Sequence, residues 1–242
     1  MNALPLTYGL KPQEVELLHR PPAQLFELLE AGQVEAALLP IVNYFDHPDL
    51  KLIPNLAIAC QGSVKSVRLY FEEDRSIENV KSIYLDPESR TSHALLKVLL
   101  KNKYGYDLKA LNFSSEPHVK VDAKLLIGDK TFAQRAAFID LGEEWSQWQQ
   151  KPFVFAAWMS FQGNNSDLVS RLLESQREGL KHIDEIISSL ESPLDASLLK
   201  DYFTKNLHYT MGESELDGIR RFYELSKPIQ GYKHELHFKF VS

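Results

Sequence analysis

The residues best suited to chemistry stand together at Ser89, Arg90, Thr91 and Ser92, inside L-D-P-E-S-R-T-S, Leu85–Ser92. An apolar run, Ser82-Ile83-Tyr84-Leu85, ends at Asp86-Pro87, and Leu95, Leu96, Leu99 and Leu100 then recur at helical spacing. A strand, a turn and a helix start are expected, with hydroxyls and a guanidinium at the helix N-terminus. Unpaired first-turn N–H groups, hydroxyl donors and one cation suit an anion, either carboxylate or phosphate. The same residues also permit a plainer role, in which Ser89 or Thr91 caps the helix and Arg90 faces solvent.

A second group is A-K-L-L-I-G-D, Ala123–Asp129. A strand of buried character runs into Gly128, where the absent side chain lets backbone approach a ligand closely. Asp129 stands where it either meets the ligand or caps the next turn. Other chemistries lack their residues. There is no Gly-x-Gly-x-x-Gly, no Gly-x-x-x-x-Gly-Lys and no Gly-x-Ser-x-Gly. None of the 8 histidines stands in a His-x-x-x-His array, and His234-Glu235-Leu236-His237 is a weak metal pair, so no metal site is expected. His93 faces either a cleft or the helix exterior. Cys60 is expected as a small buried apolar group.

Composition narrows the field further. The chain of 242 residues suits one large or two modest domains. A net charge of −6, with 27 Lys and Arg scattered along the chain, does not suggest nucleic-acid binding. The apolar runs fall far short of the ~20 residues that span a bilayer, and no apolar h-region follows Met1, so a cytoplasmic protein is expected. One cysteine excludes an intrachain disulfide and a four-thiolate zinc site.

The elements that must position these groups follow from periodicity. Met1–Leu10 reads as a loop. Val15–Leu18 is a short strand candidate, Pro21-Pro22 opens a helix over residues 24–30, Gly32 ends it, and Val34–Leu39 is a strand, which together form a β-α-β unit. Leu52–Cys60 carries a weak strand signal broken by Pro54. Val67–Phe71, Val80–Leu85, Leu108–Phe113 and the apolar Phe153–Trp158 are further strands, and Ile139–Trp145 turns into a short helix. Beyond Gly163 the pattern is helical: one long helix over Leu168–Leu190, a second from Asp195 or Ser197, and a third over Glu213–Tyr223. The tail, Lys233–Phe240, is a strand or a loose end. This order suggests an α/β chain of two lobes, residues 1–66 with 160–242 and residues 67–159. The chain crosses between lobes near Ser66 and Phe153, and the helical C-terminal region packs on the first lobe. A central cleft would gather Asn2, Ser63, Ser66, Ser89–Ser92 and Asp129, mostly neutral donors that suit an anionic substrate.

N-A-L-P-L (Asn2–Leu6), G-S-V-K-S-V (Gly62–Val67), L-D-P-E-S-R-T-S, D-A-K-L-L-I-G-D (Asp122–Asp129), D-L-G-E-E-W (Asp140–Trp145) and P-F-V-F-A-A-W (Pro152–Trp158) stand in that order. Together they resemble the chorismate dehydratases of the futalosine route to menaquinone, the MqnA family, closely over about residues 1–160. The resemblance implies a two-lobed fold like type II periplasmic binding proteins. It also implies a lyase without cofactor that converts chorismate, a small dianion, to 3-[(1-carboxyvinyl)oxy]benzoate and water. By motif, Asn2 and Ser66 would be catalytic, Ser89, Arg90, Thr91 and Ser92 would hold a carboxylate, and Gly128 and Asp129 would line the cleft. No base stands out among these residues; the substrate's own enolpyruvyl carboxylate, held by Asn2, would take the proton. The family's opening strand, R-I-G-x-I-x-Y, does not precede Met1-Asn2. As an interior strand of the first lobe its loss would unpair its neighbours, and two readings stay open: a start placed too far downstream, or a compromised relative. The rival functions are the sister dihydroxynaphthoate synthase, which is expected to use a histidine base, and a non-catalytic solute-binding protein or receptor domain. Oligomeric state is not legible in the sequence.

Overall fold

The structure, a computed structural model, describes residues 1–116, 118–192 and 194–242. It has two sheets. The first has the order β1-β8-β2, from Ala37–Pro40 (β1), Phe153–Ser160 (β8) and Lys51–Cys60 (β2), with β8 antiparallel to both neighbours. The central β8 is buried along nearly its whole length, which accounts for its almost unbroken apolar sequence. The second sheet has the order β5-β4-β6-β3-β7, from Asn112–Ser114 (β5), Ser82–Leu85 (β4), Ala123–Ile127 (β6), Val67–Phe71 (β3) and Phe138–Asp140 (β7). β4 runs parallel to β5 and β6, and β3 antiparallel to β6 and β7.

The sheet pairing bears on the lobe boundary expected at 159/160. β8 belongs to the first sheet, pairing Cys60 with Phe153 and Leu38 with Trp158, so Phe153–Trp158 is the centre of a sheet and not a crossing. The chain leaves the first sheet after β2 and returns to it at β8. We propose that the second lobe runs from β3 to the helix after β7, Leu141–Gln149 (α5), and that β8 and the chain beyond it join residues 1–66. Aromatic packing ties the sides together: Trp145 of α5 meets Phe153 at 5.3 Å and Phe222 at 5.8 Å between ring centroids. Phe222 lies on the C-terminal helix, Glu213–Gln230 (α9), which runs past the expected end at Tyr223 and is capped by Gly231.

Other expectations are corrected. Val15–Leu18 pairs with no strand among the described residues; the N–H groups of Glu14 and Val15 instead turn back to Lys11 O. The first unit is therefore a helix, Pro22–Glu30 (α2), followed by β1, and not β-α-β. Met1–Leu10 contains a helical turn, Leu4–Thr7 (α1), with Pro5 in its first turn where no N–H is missed. Pro54 does not end β2; the register shifts between Leu52 and Ala57, so the strand absorbs the proline in a bulge. The apolar run Leu108–Phe113 splits into a short 3₁₀ turn and β5. The long helix after Gly163 breaks at His182 (φ −108°, ψ 29°) into Ser166–Lys181 (α6) and Ile183–Ser189 (α7). The tail is neither loose nor a full strand: Leu52 donates to Lys239 O and accepts from Val241 N, and Tyr44 Oη donates to His237 O at 2.8 Å. Cys60 is buried as expected, and burial pushes its thiol well above the usual range. No helix among the described residues is long and apolar enough to cross a membrane.

α1 is held against α6 by the buried Ser175, whose Oγ donates to Leu6 O at 2.9 Å and accepts from Gly9 N at 3.1 Å. The backbones nearly touch at Gly179, where an added Cβ would fall 2.0 Å from Pro5 O. Gly179→Ala must push α1 off α6, and overpacking of this kind costs about 1–3 kcal/mol. A lower midpoint in chemical denaturation checks this; an unchanged midpoint would show that α1 is free to move.

Candidate functional site

A cleft of about 1140 Å³ opens between the two sheets. On the first side it is walled by β1, β2 and β8, through Leu38, Ile58 and Ala156, and by the helix Ile41–Asp46 (α3) that β1 feeds. On the second side stand the N-terminus of the helix Arg90–Val98 (α4) and the turn after β6. Strand ends and a helix start thus converge on one crevice, as they do in open α/β folds.

The L-D-P-E-S-R-T-S stretch folds as its spacing predicts. Ser89 is extended (φ −142°, ψ 105°) and caps α4: its Oγ accepts from Ser92 N at 3.3 Å and lies 3.0 Å from Ser92 Oγ. Ser89, Arg90 and Ser92 line the cleft; Thr91 does not, and its buried Oγ1 has no partner among the described residues. The N–H groups of Arg90 and Thr91 find no acceptor among the described residues, so the first turn of α4 keeps donors free for an anion. The guanidinium of Arg90 is committed elsewhere, donating from Nη2 to Asp46 Oδ2 at 2.6 Å and so joining α4 to α3.

Asn2, Ser66, Gly128 and Asp129 also line the cleft. Asn2 and Asp129 are exposed, while Ser66 is buried. Gly128 turns at φ +73°, a conformation side chains rarely adopt, and its N–H donates to Ser66 O at 2.8 Å. Ser63 lies outside the cleft lining, its hydroxyl turned to Asp140 Oδ2 at 2.8 Å. His93 is drawn to Asp86 O at 2.6 Å, and burial lowers its pKa, so it stands neutral beside the site. Among the described residues, no group of three His, Cys, Asp or Glu side chains is placed to hold a metal ion.

Sequence reasoning missed four contributors. Tyr202 starts a π-helical turn, Tyr202–Asn206, and its hydroxyl donates to Ser66 Oγ at 2.9 Å from the cleft wall. Burial raises the Tyr202 pKa, so it stays a donor. Lys130 lines the cleft and reaches buried Asp86 at 2.6 Å and Glu88 at 3.3 Å. Burial works against the Lys130 charge, but these two carboxylates outweigh it and raise its pKa. Asn43 of α3 lines the first wall and is 4% exposed. The only signal for it was a single amide in the apolar run L-L-P-I-V-N-Y-F.

The fourth is Asp140, which lies behind the site. Its carboxylate accepts from Val64 N at 2.9 Å and Lys65 N at 2.7 Å, besides Ser63, and from Gly142 N and Glu143 N at the start of α5. It therefore shapes the crossing that carries Ser66. Asp140→Asn replaces an acceptor with a donor facing N–H groups, and breaking a buried charged network costs about 3–5 kcal/mol. A large loss of unfolding free energy, with weaker ligand binding in the fraction that folds, is expected; retention of both would show that the crossing holds its shape unaided.

With this geometry in view, the chain matches known proteins in two ways. The family model described as menaquinone biosynthesis matches residues 1–228. A chorismate dehydratase of Thermus thermophilus is 31% identical over 248 residues, covering 92% of this chain and 91% of that protein. Solved structures share the fold. A protein of Archaeoglobus fulgidus has TM-score 0.69 at 16% identity, covering 95% of this chain and 94% of that one. The periplasmic aliphatic sulphonate binding protein of Escherichia coli has TM-score 0.64 at 11% identity, covering 97% and 91%. A Candida albicans gene product with the generic periplasmic binding protein fold has TM-score 0.58 at 13% identity, covering 97% and 88%. Two sheets, a cleft between them and a match along most of its length place the fold with the periplasmic binding proteins, and the chain belongs to the menaquinone-biosynthesis family.

Proposed function

We propose that the chain is a chorismate dehydratase, binding chorismate in the cleft and releasing 3-[(1-carboxyvinyl)oxy]benzoate and water. The observation that carries this reading is the donor-lined start of α4, sharing one cleft with Ser66, Gly128 and Asn2. The two cations lining the cleft, Arg90 and Lys130, are already paired with carboxylates. An incoming carboxylate therefore meets neutral donors: the hydroxyls of Ser89 and Ser92 and the free N–H groups of the first turn. Those donors are preorganised, so they need not reorient when the anion arrives.

The elimination asks little else of the protein. The C3–H bond breaks, its electron pair enters the ring, and the C4–O bond breaks; the departing hydroxide takes up the proton as water. The ring becomes aromatic, which drives the step. The carboxylates that line the cleft, Glu27, Glu88 and Asp129, are all exposed. This supports the substrate's own enolpyruvyl carboxylate as the base, oriented by Asn2. Tyr202 donates to Ser66 Oγ, and the serine hydroxyl itself donates weakly to Val64 O at 3.4 Å, so the serine is held in place at the cleft wall. Positioning of this kind accounts for much of an enzyme's advantage over solution.

Purified protein incubated with chorismate should give a product lighter by one water in mass spectrometry. Binding without any such product would favour a solute-binding protein instead. A hydrogen bond to a charged group contributes about 1.5–3 kcal/mol, so Ser92→Ala should lower kcat/KM about ten- to a hundredfold. Arg90→Ala should lower it less, because the guanidinium is turned to Asp46. The reverse order would place the carboxylate on Arg90.

A further inference from the structure

Two separate stretches of chain supply the second side of the cleft, and one side chain joins them. The first, Gly128–Thr131, is a short 3₁₀ turn fixed to the segment that carries Ser66: Gly128 N donates to Ser66 O at 2.8 Å and Thr131 Oγ1 donates to Lys65 O at 3.0 Å. From this turn Lys130 reaches to the stretch that leads into α4. Its ammonium lies 2.6 Å from Asp86 Oδ2 and 3.3 Å from Glu88 Oε1. The two contacts differ in weight. Glu88 is exposed, so solvent screens its pairing. Asp86 is fully buried, and a buried carboxylate needs a compensating charge. The other oxygen of Asp86, Oδ1, accepts from Glu88 N at 3.3 Å and so turns the chain toward Ser89. Ser89 in turn caps α4 and meets the Ser92 hydroxyl. One carboxylate thus faces Lys130 with one oxygen and shapes the entry to α4 with the other.

We propose that Lys130 is a positioning residue for the anion-binding start of α4, acting through Asp86. This rests on the dehydratase reading. The ammonium fixes the carboxylate of Asp86, and the carboxylate fixes the turn at Pro87-Glu88. That turn sets where Ser89 enters the helix, and hence where the Ser92 hydroxyl and the first-turn N–H groups point. Donors held in place need not reorient around an arriving anion. The substrate carboxylate is left to those donors, because the charge of Lys130 is already shared between two carboxylates.

The test begins with Lys130→Met, which removes the charge from a half-exposed side chain whose turn keeps its own hydrogen bonds. Calorimetric titration should show chorismate bound about tenfold more weakly, within the range for displaced binding groups. Lys130→Arg should restore binding. Ser92→Ala should add little further loss in the Lys130→Met background, because residues that act as one unit are not additive. Asp86→Asn should weaken binding as Lys130→Met does, with the double variant no worse than either. The Lys130 and Ser92 variants decide the matter even where Asp86→Asn unfolds. Unchanged affinity in Lys130→Met would overturn the proposal, as would a full additional loss from Ser92→Ala. So would tighter binding in Asp86→Asn, which would show the freed ammonium holding the ligand itself. A wild-type protein that does not bind chorismate would overturn the dehydratase reading, and this inference with it.

Discussion

The carboxylate of Asp140 holds the crossing between the two sheets in shape. It gathers the N–H groups of Val64 and Lys65, the Ser63 hydroxyl and the first N–H groups of α5 around two oxygens. Buried backbone donors need acceptors, and a crossing of a few residues has no ladder to supply them. One side chain does so for the loop and the helix together. Arg68 Nε, 3.6 Å away, balances the charge. Ser66, Gly128 and Tyr202 then form a chain of hydrogen bonds built on that loop: Gly128 N on Ser66 O, and Tyr202 Oη on Ser66 Oγ. Asn206, at the end of the same π-helical turn, donates to Ser63 O and ties the C-terminal helices to the crossing. The site is thus positioned by a polar core laid over an aromatic one, Trp145 with Phe153 and Phe222.

Local signals were legible where one residue does one thing. The strand, turn and helix around Ser89 follow from an apolar run, a proline and helical spacing, and the structure places α4 there. The buried β8 follows from its composition. Signals failed where a residue's fate depends on a distant partner. Val15–Leu18 has strand composition but no strand to pair with among the described residues. Pro54 looked like an end because a bulge cannot be told from a break without the opposing strand. The tail gained order from Leu52 and Tyr44, which lie far back along the chain on β2 and α3.

The same rule divides the site residues. Ser66, Ser89, Ser92 and Gly128, expected at the cleft from their motifs, do line it. Arg90 looked like the cation for an anion because nothing nearby in the sequence claims it; its partner, Asp46, lies on α3 across the cleft. Tyr202 and Asn43 stand beside apolar residues in the sequence, and neither is singled out there. Their polar atoms matter only because the fold aims one at Ser66 and leaves the other without a partner among the described residues.

The pair between Arg90 and Asp46 also responds to salt. It spans the cleft, and its side chains are 56% and 29% exposed, so solvent screens it. Such pairs contribute about 0–1 kcal/mol, comparable to thermal energy. It is therefore a minor tie beside the packing of α4 against α9. At physiological salt, charges beyond ~8 Å are already screened, and further salt weakens the pair itself. Salt is thus expected to act on this contact before it reaches the buried carboxylate of Asp140.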